Sequence, residues 1–257
     1  MTRPPFATRF EELLGTARVA SILASLRDSP VMLLAGGPGT GKSALAARLA
    51  ELLGRPASGT GAIVRAAAAA SGRTLAEYNR RLELHPEEDA ALDARAAAAI
   101  ARGDVTVFES RLAGHLGAWL RAHGRRGLTS IVLRCDPHEQ ARRLLAREAS
   151  PRVREELEPL LKTARGVESL DDVLVTLRAS RAPLVAEAVV VLEAQASRIK
   201  AERARMLARY GVVLDDPSVY DAVLDTSRLG IAECASRALR IAELAPEASP
   251  DRPRLKA

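Results

Sequence analysis

Aromatic residues make up only 3% of the chain: three Phe, three Tyr and one Trp among 257 residues. Recognition of single-stranded nucleic acid by base stacking needs aromatic platforms, so that class of function is disfavoured. The core must instead be built mostly from Ala, Leu and Val. Cysteine is nearly absent. Cys135 and Cys234 lie far apart and form no C-x-x-C pair, which argues against a disulfide framework and makes reduced thiols the expectation. The four histidines, His85, His115, His123 and His138, form neither H-E-x-x-H nor a Cys/His cluster, so a zinc site has no ligand set. A G-x-S-x-G nucleophile elbow is also missing. No run approaches the roughly eighteen consecutive apolar residues of a membrane helix, and the opening Met-Thr-Arg-Pro-Pro has no apolar signal core. No membrane partner and a cytoplasmic location are expected.

What is present is a globular composition, 47% apolar and 27% charged. The net charge of +6 suits an anionic ligand. The charges are spread along helices without a basic block or a known binding module, so no nucleic-acid partner is expected.

Along the chain, residues 8–28 place Phe10, Leu13, Leu14, Val19, Ile22, Leu23 and Leu26 on one helical face. This predicts a packing helix ahead of the first strand, with an oligomer contact as a second use. Residues 30–35 are a short apolar run ending in glycines, the pattern of a buried parallel strand. Helices are predicted over 44–53, 62–71, 74–83, 86–102, 112–123, 137–148 and 231–243, and strands over 105–108, 130–135 and 220–225. The stretch 150–210 is helical and charged throughout, with Pro151, Pro159 and Pro183 marking joints. There the strand–helix alternation stops, so it is either an inserted subdomain or a mobile cover. The alternation elsewhere predicts an α/β fold of three layers around a central parallel sheet.

Between the first strand and its helix lies Gly36-Gly37-Pro38-Gly39-Thr40-Gly41-Lys42-Ser43, which satisfies G-x-x-x-x-G-K-[ST]. Glycines let backbone N–H groups point inward around a phosphate, and the following helix presents its positive end. Lys42 can place a compact charge on the β and γ oxygens of ATP, and Ser43 can ligate Mg²⁺. These eight residues and Ala44 are the candidate ATP contacts, and a P-loop NTPase fold follows. The same loop spelling serves oligomeric motor ATPases, so the reaction must be read elsewhere.

The segment ending the 105–108 strand supplies it. Glu109 stands where ligands sit in open α/β sheets, able to hold water on the nucleotide's Mg²⁺. Two residues on, Arg111 offers a guanidinium suited to gripping a phosphate through two parallel bonds. An acid followed by Arg fits transfer to a bound anion better than the paired acids that activate water.

The P-loop, Glu109-x-Arg111-Leu112-Ala113-Gly114 and Tyr220-Asp221-x-Val223-x-Asp225-Thr226-Ser227 together resemble the archaeal-type cytidylate kinases among the nucleoside monophosphate kinases. So do Gly61-Ala-Ile-Val-Arg65, Pro86-Glu-Glu-Asp89-x-x-Leu92-Asp93-x-Arg95, Arg143-x-x-x-Arg147-Glu148 and Glu202-x-x-Arg205-x-x-x-x-Tyr210-Gly211. The resemblance spans roughly residues 30–148 and 198–243. It implies that Arg65 and Arg111 grip the acceptor's phosphate, with Asp89 and Asp93 near its sugar or base. It also implies that Arg147, Arg198 and Arg205 lie at or under a lid, and that Thr226 and Ser227 lie near the adenine. Ser110 replaces the family's Gly and His115 its aromatic, and the chain between Arg147 and Arg198 is longer than the family pattern. A side chain at 110 could narrow the crevice or change the acceptor.

The expected organisation is an N-terminal extension (1–29), a kinase core with acceptor-binding helices (30–149), a helical lid or insertion (150–210), the last strand and helix (211–245) and a flexible tail (246–257). The expected activity is ATP-dependent phosphorylation of CMP or dCMP, with ATP and Mg²⁺ as cofactors and a small-molecule phosphate acceptor as partner. Two rivals stay open: a kinase of a modified nucleotide or metabolite hydroxyl, and a non-catalytic ATP-binding regulator using residues 150–197 as a partner surface.

Overall fold

A computed structural model describes residues 5–163, 167–180 and 185–244. The joint expected at Pro183 and the tail 246–257 lie outside the described residues. Two short helices come first, α1 (Pro5–Leu14) and α2 (Thr16–Leu23), followed by strand β1 (Val31–Ala35) and α3 (Lys42–Leu53). Next are β2 (Ala57–Gly59), α4 (Thr60–Ala70), α5 (Leu75–Leu84) and α6 (Pro86–Arg102), then β3 (Val107–Glu109) and α7 (Ala113–Ala122). The chain continues through β4 (Leu128–Arg134), α8 (Pro137–Glu148), α9 (Pro151–Thr163), α10 (Leu170–Ala179) and α11 (Val185–Tyr210). It closes with β5 (Ala222–Asp225) and α12 (Ile231–Leu244). The five strands form one parallel sheet in the order β2-β3-β1-β4-β5.

Strand side chains alternate between the two faces of a sheet, which is why a continuous apolar run such as β1 serves two cores. Leu33 and Ala35 join Phe108, Leu116, Leu120 and Val132 on one side. Met32 and Leu34 join Leu45, Leu49, Ile131 and Leu133 on the other. Helix ends follow local chemistry. Pro86 and the acids Glu87, Glu88 and Asp89 open α6, and Gly103 at φ 65° closes it. Asp136 caps α8 by accepting from His138 N at 2.9 Å.

The structure departs from the sequence reading in three elements, the first being the joint expected at Pro159, which instead lies inside α9. The expected helix over 8–28 is two helices, parted at Gly15, whose φ of 75° ends α1 and turns the chain. The strand β2 has no sequence signal, because Ala-Ser-Gly has no apolar pattern. It exists because it pairs with β3, setting Gly59 opposite Glu109. A Cβ on Gly59 would stand 2.6 Å from the Glu109 carbonyl oxygen, so only glycine allows that approach.

The scarce aromatics concentrate where α1 meets the core. Phe10 lies edge-on to Trp119 with centroids 5.1 Å apart, and Phe6 meets Tyr210 at 5.3 Å. Glu11 accepts from Trp119 Nε1 at 2.8 Å, and Arg9 donates to the Ala208 carbonyl at 2.9 Å. Phe6, Ala7, Phe10 and Leu14 of α1 are thus buried inside this chain, while Leu13 stays exposed.

Helices α8 to α11 enclose a further core of their own. Leu144, Leu145, Val153, Leu157, Val173, Leu177, Ala188 and Leu192 are all buried within it. Among the described residues of the 150–210 tract, α9, α10 and the first half of α11 pack with α8 around this core. Among the described residues, no helix is long and apolar enough to cross a membrane.

Candidate active site

The loop between β1 and α3 turns on three left-handed glycines, Gly36 (φ 135°), Gly39 (79°) and Gly41 (88°). Gly36 is irreplaceable on packing grounds too, since a Cβ there would sit 2.6 Å from the Leu133 carbonyl oxygen. Lys42 Nζ donates to the carbonyls of Gly37, at 3.2 Å, and Gly36. Burial lowers the pKa of Lys42, while Glu109, Glu202 and Asp215 pull it back up and the charge of Arg198 pushes it down. The Ser43 hydroxyl donates to Glu109 Oε2 at 2.8 Å, so the acid ending β3 faces the loop as its position in the sheet required.

The loop is braced from the β4–α8 side. Gln140 Nε2 donates to the Pro38 carbonyl at 2.6 Å, and Arg143 donates to the Thr226 carbonyl at 2.6 Å and its hydroxyl at 3.0 Å. Thr226 is only 3% exposed, and its hydroxyl donates to the Thr40 carbonyl at 2.9 Å. The expected adenine neighbour is thus a strut beneath the phosphate loop, because β5 ends under that loop rather than beside open solvent. Ser227, one residue on, lines a separate cavity of about 570 Å³ with Asp136, His138 and Arg142.

Arg111 stands at the centre of a charged network. Its guanidinium donates to Glu202 Oε1 at 2.7 Å and to Asp89 Oδ1 at 3.1 Å. Asp89 also pairs with Arg209 and lies 3.5 Å from Arg205 Nε. Asp93 accepts from Tyr210 Oη at 2.8 Å. Asp89 and Asp93, expected near an acceptor's sugar or base, are fully buried and face protein groups. Asp89 is a counter-ion to three arginines, whereas Asp93 accepts a hydrogen bond from a tyrosine, and both sets of partners include α11. Burial opposes the charge on Arg111, yet Asp93, Glu202 and Asp89 outweigh it and hold the pKa above its ordinary value. Burial, aided by Asp89 and against Arg111, pushes Asp93 up to about 6.

Gly36, Gly37, Pro38, Thr40, Arg111 and Glu202 line a single cleft of about 600 Å³. The insertion supplies its far wall through Leu170, Asp171, Ile199 and Lys200, and the rim carries Asp215 at φ 64°. Of the expected site residues, only Gly36, Gly37, Pro38, Thr40 and Arg111 belong to this lining. Arg65 is exposed on α4 and has no ion pair or hydrogen bond among the described residues. Arg147 is exposed and pairs with its neighbour Glu148, and Arg198 is exposed on α11. Ser110 does not narrow the cleft. It is 3% exposed, and its hydroxyl accepts from Thr60 Oγ1 at 3.0 Å and from Leu112 N at 3.1 Å.

A family model described as an AAA domain (AAA_18) matches residues 32–161. A cytidylate kinase of Methanothrix thermoacetophila is 30% identical over 217 residues, covering 82% of this chain and 99% of the relative. One from Pyrobaculum aerophilum is 29% identical, covering 78% of this chain and 86% of the relative. This chain belongs to the cytidylate kinase-like P-loop kinases. It is an ATP-dependent kinase of the nucleotide-kinase type. A solved structure of an uncharacterized protein from Eubacterium ventriosum shares the fold, with a TM-score of 0.52 at 11% identity, covering 84% of this chain and 99% of that one.

Three parts of this kinase's site escaped the sequence reading. Gln140 carries no pattern that marks it as a brace. Arg209 has a sequence signal, since Glu202, Arg205 and Arg209 recur at helical spacing and so share one face of α11. The pairing of Arg111 with Glu202 joins residues 91 positions apart and has no local signal.

Proposed function

We propose that this kinase transfers the terminal phosphate of ATP to a nucleoside monophosphate, with CMP or dCMP the preferred acceptor. One observation carries the reading: the phosphate loop and Arg111 open onto the same cleft. The loop amides and Lys42 hold the donor's phosphates, once Nζ leaves the Gly36 and Gly37 carbonyls for them. Arg111 grips the acceptor's phosphate, and the unpaired guanidinium of Arg65 reaches it from α4. Arg147, Arg198 and Arg205, on or beneath the 150–210 lid, offset charge on the phosphoryl group in transfer. Ser227 and Arg142, at the second cavity, flank the adenine. Ser43 and Glu109 offer the oxygen donors that Mg²⁺ prefers, and the metal would neutralise charge on the β and γ oxygens. The chain's contribution is otherwise alignment and exclusion of water, and an acceptor that is already an anion needs no general base.

An acceptor panel of CMP, dCMP, UMP, AMP and several sugars, read by coupled ADP release, tests this. Turnover with the pyrimidine monophosphates alone is expected, and turnover with sugars alone overturns the proposal. Arg111→Ala is expected to lower kcat/KM for the accepted monophosphate by about 100-fold or more, with a raised acceptor KM. Unchanged kinetics would remove Arg111 from the acceptor site.

A further inference from the structure

The two carboxylates that hold Arg111 are not equivalent. Asp89 is fully buried and is shared with Arg205 and Arg209, so it is a fixed counter-ion. Glu202 keeps 26% of its side chain exposed and lines the cleft beside Gly36, Gly37 and Arg111. Within the network, Arg111, Arg205 and Arg209 gather around Asp89, and Glu202 is the carboxylate that also faces the cleft. The NH1 edge of Arg111, which a phosphate would need, is held by Glu202 at 2.7 Å.

We propose that Glu202 is a specificity-determining residue that occupies the acceptor-phosphate position on Arg111 until a phosphate monoester displaces it. A carboxylate offers one negative charge, and a phosphate monoester brings nearly two with three acceptor oxygens. The dianion therefore wins the guanidinium edge, and repulsion between it and the carboxylate drives Glu202 aside. Neutral hydroxyl acceptors and weak anions lack the charge to open the latch. Glu202 lies on α11 between two anchorages. Towards the C-terminus, Arg209 and Tyr210 tie the helix to α6, and towards the N-terminus Ala188 and Leu192 belong to the insertion's core. Filling the acceptor site thus releases a bond that joins the kinase core to the lid helix. This rests on Arg111 being the acceptor-phosphate ligand.

The test uses the whole chain and two probes, inorganic phosphate measured by calorimetric titration and CMP measured by steady-state kinetics. Glu202→Gln removes the competing charge and is expected to bind inorganic phosphate about five-fold tighter, on the scale of a partly exposed ion pair. Its CMP KM is expected to fall by a similar factor. The gain is expected to vanish when Arg111→Ala is added, because the two residues act through one contact. Should Glu202→Gln not fold, Glu202→Asp keeps the charge but draws it back by one methylene, and the same direction is expected at smaller amplitude. A residue that merely braced Arg111 would show the opposite sign, weaker phosphate binding and a higher KM. Phosphate affinity that is unchanged or reduced in the folded variant overturns the latch. An enzyme inactive on every monophosphate overturns the proposed acceptor instead, and the phosphate titration still decides the role of Glu202.

Discussion

Lys42→Ala is expected to lower kcat by about a thousandfold or more while the protein stays folded. Among the described residues, the lysine's side-chain hydrogen bonds run to carbonyls of its own loop, at Gly36 and Gly37. Its charge is held at a cost, since burial lowers its pKa against the pull of Glu109, Glu202 and Asp215. Removing it relieves that cost and breaks hydrogen bonds within the loop alone, so the melting temperature should move by no more than about 2 °C. What is lost is a positive charge at the point where the transferring phosphate develops its own, in a cleft where solvent screens poorly. Steady-state kinetics with circular dichroism on the same preparation checks both halves. A variant that keeps more than about a tenth of kcat places the transfer chemistry elsewhere.

Asp89→Ala carries the largest expected loss of stability, about 3–5 kcal/mol, the cost of leaving buried charges without their partner. The carboxylate is fully buried and answers three guanidiniums, those of Arg111, Arg205 and Arg209. Without it those cations repel one another in a poorly screened interior, and only Glu202 and Asp93 remain to offset them. For a chain of this size the shift in melting temperature should be roughly 10 °C. Asp89→Asn keeps hydrogen-bond acceptance but not the charge, and should fall between the two. Urea and thermal unfolding followed by circular dichroism measure this. If Asp89→Ala melts within about 2 °C of the parent, the arginines are held by something other than this carboxylate.

These two residues also differ in how far the sequence disclosed them. Lys42 is fixed by its own neighbours, because four glycines, a lysine and a serine at set spacing leave the backbone one useful conformation. Asp89 carries the opposite lesson. Its position in the first turn of α6 marks it as a helix-start acid, and its resemblance-derived role was contact with the acceptor. Its partners, 22 and 120 positions away on Arg111 and Arg209, became visible only once α6 and α11 were packed together.

The sequence by itself determined the phosphate loop, the strand–helix alternation around it and the ends of helices such as α6, bounded by Pro86 and Gly103. Those features are set by φ preferences, capping and periodicity, which act between residues a few positions apart. The tertiary structure decided the rest: an edge strand made of Ala57-Ser58-Gly59, Thr226 bonded between Thr40 and Arg143, and Arg111 shared between Asp89 and Glu202. Each of these depends on which surfaces meet after folding, and electrostatic and packing energies act through space without regard to distance along the chain.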